Sequence, residues 1–269
     1  MAYINAIILA IIEGATEFLP VSSTGHLILA EEFFSLSPDE SFNKAFIIMI
    51  QLPAIAAVVL FFWRDLWPFS ASAQKRADLY VMWSKIGVAF APAVALGFLF
   101  ADMLDRHLLA PLPVGIALFA GGVALILVEK LGHRETVSSV ADFTFKMAFF
   151  VGLFQCLAMI PGTSRSAATI MGALLLGASR PAAAEFSFFL AIPTMVGATG
   201  LTIAKKGLAF SGGEWCLLAI GSVVSFGVAY VVIAAFMSYV KRKDFTIFGY
   251  YRIALAGAVF FFLALGRIG

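Results

Sequence analysis

EGATEFLPVSSTGH, residues 13–26, is a polar stretch set into an otherwise apolar chain, and its reading decides the fold. Glu13 and Glu17 stand four residues apart and so share one face of a helix. Pro20 ends that helix, and Ser22, Ser23 and Thr24, followed by Gly25 and His26, open another. Hydroxyls and free backbone N–H groups at a helix start seat an anion, whereas paired carboxylates hold a cation. Having both in one short stretch points to a phosphate ester accompanied by a metal ion.

The surroundings of that stretch set the class. Of the 269 residues 62% are hydrophobic and 13% charged, and the mean hydropathy is +0.99. Such a composition excludes an ordinary water-soluble globule. The apolar runs are too long and continuous for an outer-membrane barrel, so the expected class is an all-α polytopic membrane protein forming a single domain over 1–269. A net charge of +2, with the basic residues mostly between apolar runs, gives no reason to expect nucleic acid. Cys156 and Cys216 lie inside apolar segments without metal-ligand spacing and read as packing residues. The apolar N-terminus has no basic residue before Lys44, and Glu13 and Glu17 interrupt it, so it reads as part of the mature fold rather than as a signal peptide.

Six runs, 46–62, 86–101, 112–128, 187–204, 215–237 and 248–265, are long enough, or nearly so, to cross a bilayer. A 17-residue helix covers about 26 Å of a ~30 Å hydrocarbon layer. Residues 3–34 and 147–178 behave differently: each is a short apolar arm, a polar break and a second short arm. Arms of this length predict re-entrant hairpins, whose irregular backbone is tolerated at depth only where protein or a wet cavity surrounds it. Pro20 and Pro53 are 33 residues apart, and Pro161 and Pro193 are 32 apart. The chain therefore reads as an internal repeat, 1–130 and 140–269, each half a re-entrant helical hairpin plus three transmembrane helices. Three spans is an odd number, so the second half is expected upside down relative to the first, with hairpins entering from opposite faces and meeting at the midplane.

Loop charge gives an orientation. Loops 64–85, 130–146, 179–186 and 238–247 carry eleven basic residues, against five (Lys44, Arg106, Lys205, Lys206 and Arg267) on the other side. The first group is then cytoplasmic, and the site with its carboxylates opens to the outer, periplasmic side. Trp63, Trp67, Tyr80 and Trp83 flank the first inner loop as interfacial anchors.

Glu13, Glu17 and Arg165 each cost about 2.5 to 3.5 kcal/mol at the centre of a membrane helix, so they need partners. One arrangement is a purely structural clasp between hairpins. Against it stand the self-repelling acid pair and the hydroxyls at both breaks, Ser22, Ser23, Thr24, Thr163, Ser164 and Ser166, which exceed what two helix caps require. Arg165 offers a planar fork for phosphate oxygens. His26 follows Ser23 by three residues and is a candidate general acid or base. Gln155 reads equally well as an interhelical hydrogen bond or a ligand contact.

EGATEFLPVSSTGH at 13–26 and PGTSRSAAT at 161–169, with IQLPAIAAVVLFFWR at 50–64 and AAAEFSFFLAIP at 182–193, resemble the signature segments of the undecaprenyl-diphosphatase, or bacitracin-resistance, family, over the whole chain. Where that pattern often has glycine, this sequence has Pro53 and Ala167. The resemblance implies an enzyme of the bacterial plasma (inner) membrane that removes the terminal phosphate of undecaprenyl diphosphate, a polyprenyl lipid embedded among membrane lipids. It implies a divalent cation, Mg²⁺ or Ca²⁺, held by Glu13 and Glu17, and catalytic roles for Glu17, His26 and Arg165. Ser23 or a water is the expected nucleophile, and Ser22, Thr24, Gly162, Thr163, Ser164, Ser166 and Thr169 are the expected phosphate-binding residues. A rival reading is a carrier moving a polyprenyl phosphate across the bilayer through the same anion seat. The sequence leaves a homodimer open.

Overall fold

A computed structural model describes residues 1–37, 39–67, 72–108, 110–132, 134–206 and 210–268, without the side chains of 100–107 and 205–206. Arg106, Lys205 and Lys206, which enter the loop-charge argument, therefore lie outside the described side chains. The chain runs as α1 (Ala2–Thr16), α2 (Ser23–Ala30), α3 (Glu40–Phe61), α4 (Trp63–Leu66), α5 (Ala73–Leu108), α6 (Pro111–Leu131), α7 (Phe145–Cys156), α8 (Arg165–Leu175), α9 (Arg180–Lys206), α10 (Gly212–Val240) and α11 (Thr246–Ala264).

Among the described residues six helices, α3, α5, α6, α9, α10 and α11, are long and apolar enough to cross a membrane, the shortest having 19 residues. That length corresponds to about 28 Å, close to a hydrocarbon layer. Large apolar side chains on them face outward, Phe98 at 90% and Val223 at 72% exposure, as expected where lipid rather than water is the neighbour. The arms α1, α2, α7 and α8 have 15, 8, 12 and 11 residues, and none can span alone. Each pair folds back as a hairpin, with breaks at 17–22 and 157–164.

The halves pack crosswise. Arm α1 lies on α10 and arm α7 on α5, while α6 packs against α11 and α3 against both α9 and α10. Glycine permits both arm contacts: a Cβ on Gly14 would sit 2.6 Å from the Ser225 carbonyl, and one on Gly152 would collide with the Ala89 carbonyl. Pro53 sits inside α3, where it deprives a carbonyl one turn earlier of its partner. Neighbouring helices bond the carbonyls on either side of that one, Thr199 donating to Ile48 and Ser225 to Ile50. Between the hairpins lies an aromatic core in which Phe18 meets Phe188 edge-on and Phe62 packs on Phe188 and Phe189.

At the end of the bundle away from the breaks, Arg180 forks Glu129 at 2.7 to 3.2 Å, and Glu129 also accepts the Phe245 N–H at 2.9 Å. One buried carboxylate thus ties α6, α9 and the start of α11. Trp63, Trp67 and Tyr80 are well exposed, whereas Trp83 donates to the Leu66 carbonyl.

Candidate active site

The two breaks meet. In the first, the Glu17 N–H closes the last turn of α1 on the Glu13 carbonyl, the chain turns through Pro20, and Ser22 caps α2. In the second, Ser164 caps α8. Ser22 has φ 73° and Ser164 φ 71°, and they are the only non-glycine residues at positive φ among those described. Side chains rarely tolerate this conformation, and it persists where the surroundings enforce it. Each of the two serines accepts the N–H three residues on, from Gly25 and from Ala167, both at 3.3 Å.

Between the tips lies a cavity of about 150 Å³ lined by Glu17, Ser22, Ser23, Thr24, Gln51, Ala158, Gly162, Ser164 and Arg165. Glu17 is its hub. One carboxylate oxygen accepts the Ser23 hydroxyl at 2.7 Å, and the other lies 3.5 Å from Arg165. The ion pair is largely buried, its side chains 11% and 10% exposed, so little water screens it. The other arm of the Arg165 fork donates to the Ser187 carbonyl at 2.9 Å, which fixes the guanidinium beside the cavity. At the start of α2 and α8 the N–H groups ahead of the one capped by serine have no intrahelical acceptor and can meet an anion.

Not every expected phosphate ligand faces this space. Ser22, Thr24, Gly162 and Ser164 line the cavity, whereas Thr163, Ser166 and Thr169 do not. Ser166 donates to the Leu19 carbonyl at 2.7 Å and lies 3.0 Å from the Ser164 hydroxyl, so it bolts the second tip to the first. Thr169 lies 2.7 Å from the Ser187 hydroxyl and holds α8 to α9.

His26 is also outside the cavity lining. Its Nδ1 is 2.7 Å from the Ser22 carbonyl and its Nε2 is 2.7 Å from the Tyr251 hydroxyl, so both ring nitrogens are taken from behind the tip. The side-by-side placement with Ser23 expected from helical spacing gives way to a ring folded back over the N-cap.

Glu13 is fully buried, and its two carboxylate oxygens accept no hydrogen bond; Glu17 and Gln51 are the polar side chains beside it. An unsatisfied buried carboxylate next to a second one fits a hard divalent cation. Among the described residues no third His, Cys, Asp or Glu joins the pair, so the remaining ligands of such an ion would be substrate oxygens and water.

Sequence reasoning missed three residues. Arg252 on α11 is fully buried and reaches the carbonyls of Pro20 at 3.5 Å, Gly162 at 3.1 Å and Ala117 at 3.3 Å, so it ties both tips to α6. Its signal was present: with Arg165 it is one of two basic residues outside the loop groups, it alone of the pair lies inside an apolar run, and an intramembrane arginine demands partners. Gln51, two residues before Pro53, lines the cavity, and Ser187 is the fixed acceptor for Arg165. Nothing in their local sequence marks either one.

These features bring an acidic, hydroxyl-bearing wall and a cationic wall together at the meeting point of two hairpins of a membrane protein, an arrangement with the chemistry to hold a phosphorylated head group. The chain matches the family model described as bacitracin resistance protein BacA over residues 6–258. It is 48% identical over 263 residues to undecaprenyl-diphosphatase 1 of Clostridioides difficile (strain 630), covering 96% of each chain. It is 51% identical over 257 residues to the undecaprenyl-diphosphatase of Fusobacterium nucleatum subsp. nucleatum, covering 93% of this chain and 96% of that one. Its identity to the undecaprenyl-diphosphatase of Enterococcus faecalis is 45% over 268 residues, 97% of each. This chain belongs to the bacitracin resistance protein BacA family.

Proposed function

We infer that this multi-pass membrane protein is an undecaprenyl-diphosphatase, hydrolysing undecaprenyl diphosphate to undecaprenyl phosphate and inorganic phosphate and so returning the lipid carrier used in cell-wall polymer synthesis. The observation that carries the reading is that Glu17 contacts both Ser23 and Arg165 in one buried cavity, which puts a hydroxyl, a proton acceptor and a phosphate-binding cation within reach of one phosphorus atom. The carrier alternative is not favoured, since the relatives are named for a hydrolysis and a binding seat alone would not place a carboxylate on a serine hydroxyl.

The reaction is read as follows. The diphosphate head enters between the tips, with its oxygens on Arg165, Thr24, Ser164 and the free N–H groups of α2 and α8. Ser23 attacks the terminal phosphorus and its proton passes to Glu17; the bond to the bridging oxygen breaks, and undecaprenyl phosphate leaves. Glu17 gives that proton to the departing phosphate oxygen and is a base again; water then attacks the phosphoserine, its proton passing to Glu17 and on to the Ser23 oxygen as the ester bond breaks and inorganic phosphate leaves. Arg165 holds the charge that spreads over the transferring group. Glu13 and Glu17 would hold a divalent cation, Mg²⁺ or Ca²⁺, which when bound draws negative charge from the diphosphate oxygens. The crosswise packing supports halves of opposite orientation, and the loop charges support a bacterial plasma membrane placement with the site opening outward.

The test is phosphate release by the purified protein from undecaprenyl diphosphate. Chelation is expected to abolish it, and Arg165→Ala to lower it by at least about 100-fold. Label from the terminal phosphate is expected on Ser23 after rapid quenching. Undiminished release from Arg165→Ala would overturn the assignment of the cavity.

A further inference from the structure

We propose that Tyr251 is a positioning residue for this hydrolysis, acting through His26 on the strained serine that presents the nucleophile; the proposal rests on the phosphatase reading above. The hydrogen bonds assign the imidazole. The Ser22 carbonyl can only accept, so the proton of the ring sits on Nδ1, 2.7 Å away. Nε2 of the neutral ring is then a lone pair, and the Tyr251 hydroxyl, 2.7 Å from it, is the donor. The two rings lie nearly parallel, 15° apart with centroids separated by 5.5 Å, so the phenol also limits the tilt of the imidazole.

The second tip shows what this pair is for. Ser164 has the same positive φ as Ser22, yet its carbonyl is met by the Ala168 N–H at 3.0 Å, and α8 carries no histidine. The second turn therefore stands without an imidazole on its serine carbonyl. The first tip adds an imidazole and a phenol at the one serine that precedes Ser23, and Ser23 is the residue whose hydroxyl reaches Glu17. Tyr251 orders His26, His26 fixes the direction of the Ser22 carbonyl, and that peptide sets the angle at which the Ser23 oxygen faces the cavity. The chain of contacts reaches 225 residues along the sequence, from α2 to α11.

Tyr251→Phe keeps the ring and removes only the hydroxyl. Expected are a kcat lower by about five- to tenfold, the scale of one lost hydrogen bond, and an unchanged KM for the lipid. In a His26→Gln background the same substitution is expected to add nothing. Nitrogen-15 spectra of histidine-labelled protein give a readout that does not need turnover: the wild type should show the His26 proton on Nδ1, and the Nε2 resonance should move in Tyr251→Phe. A wild type with the proton on Nε2 overturns the proposal. So does a Tyr251→Phe variant with unmoved kcat and imidazole resonance, or equal losses with and without His26. A wild-type protein that releases no phosphate overturns the phosphatase reading instead, and the spectra still judge the contact.

Discussion

The two hairpin tips have nearly the same backbone and opposite chemistry. Ser22 and Ser164 share a φ within a few degrees, cap the same third N–H at the same 3.3 Å, and follow Pro20 and Pro161. Yet the first tip carries Glu13 and Glu17 on its incoming arm, and the second carries Arg165 at the start of its outgoing one. One scaffold is used twice, and the charges that would cancel within a single tip are divided between two. The division leaves a gap into which a charged head group can insert, because the 3.5 Å Glu17–Arg165 contact is loose enough to be replaced by phosphate oxygens. Arg252 makes the division workable by holding the backbones together, through Pro20 on one tip and Gly162 on the other, without occupying the cavity.

The sharpest way to break the comparison is to exchange the charges. Glu17→Arg and Arg165→Glu singly are each expected to cost at least about a thousandfold in turnover, since each puts like charges in one buried site. The double variant restores an ion pair and should recover thermal stability, measured as Tm in detergent, but not phosphate release, because the carboxylate would then stand away from Ser23. Recovery of turnover in the double variant would mean that the tips are chemically interchangeable.

A smaller effect is expected one turn back on the incoming arms, where Glu13 and Gln155 are both buried. Gln155 accepts the Thr194 hydroxyl at 3.2 Å, while Glu13 accepts nothing. Glu13→Gln makes the first arm resemble the second. It should raise stability in chelator by about 1 to 3 kcal/mol, as a buried carboxyl without a hydrogen-bond partner is removed, while lowering turnover by about 10- to 100-fold and shifting the cation requirement upward. Gln155→Glu should lower stability by a similar amount and leave the cation requirement where it was. Metal titrations of activity together with melting curves check both, and a loss of cation dependence in Gln155→Glu would place the ion on the wrong arm.

Much of this was legible in the chain. The six spans follow from apolar length, and both breaks from a proline followed by hydroxyls, because these are local properties. Partnerships were harder to read. Arg252 reaches the first tip across 232 residues, and the run 248–265 gives no hint of which carbonyls it meets. His26 was placed by helical spacing beside Ser23, but a hydrogen bond to the residue four back and a phenol from α11 turn it the other way. Ser166 and Thr169 read as phosphate ligands by motif, since a hydroxyl's use depends on the nearest acceptor, and here those acceptors are Leu19 and Ser187.

That last distinction yields the smallest effect, at Ser166, and the cleanest separation of scaffold from chemistry. Ser23→Ala and Ser166→Ala are the same atomic change, one on each tip. Ser166 is fully buried and supplies the proton for the Leu19 carbonyl, so its removal should cost about 1 to 2 kcal/mol of stability while kcat stays within a few-fold of the wild type. Ser23→Ala removes a donor to a Glu17 oxygen that lines the cavity, where water can take the hydroxyl's place, so Tm should hardly move while phosphate release falls toward background. Measuring Tm and kcat on both variants decides the matter. If Ser166→Ala loses turnover at unchanged Tm, its hydroxyl belongs to the phosphate site, and the second tip contributes chemistry as well as an arginine.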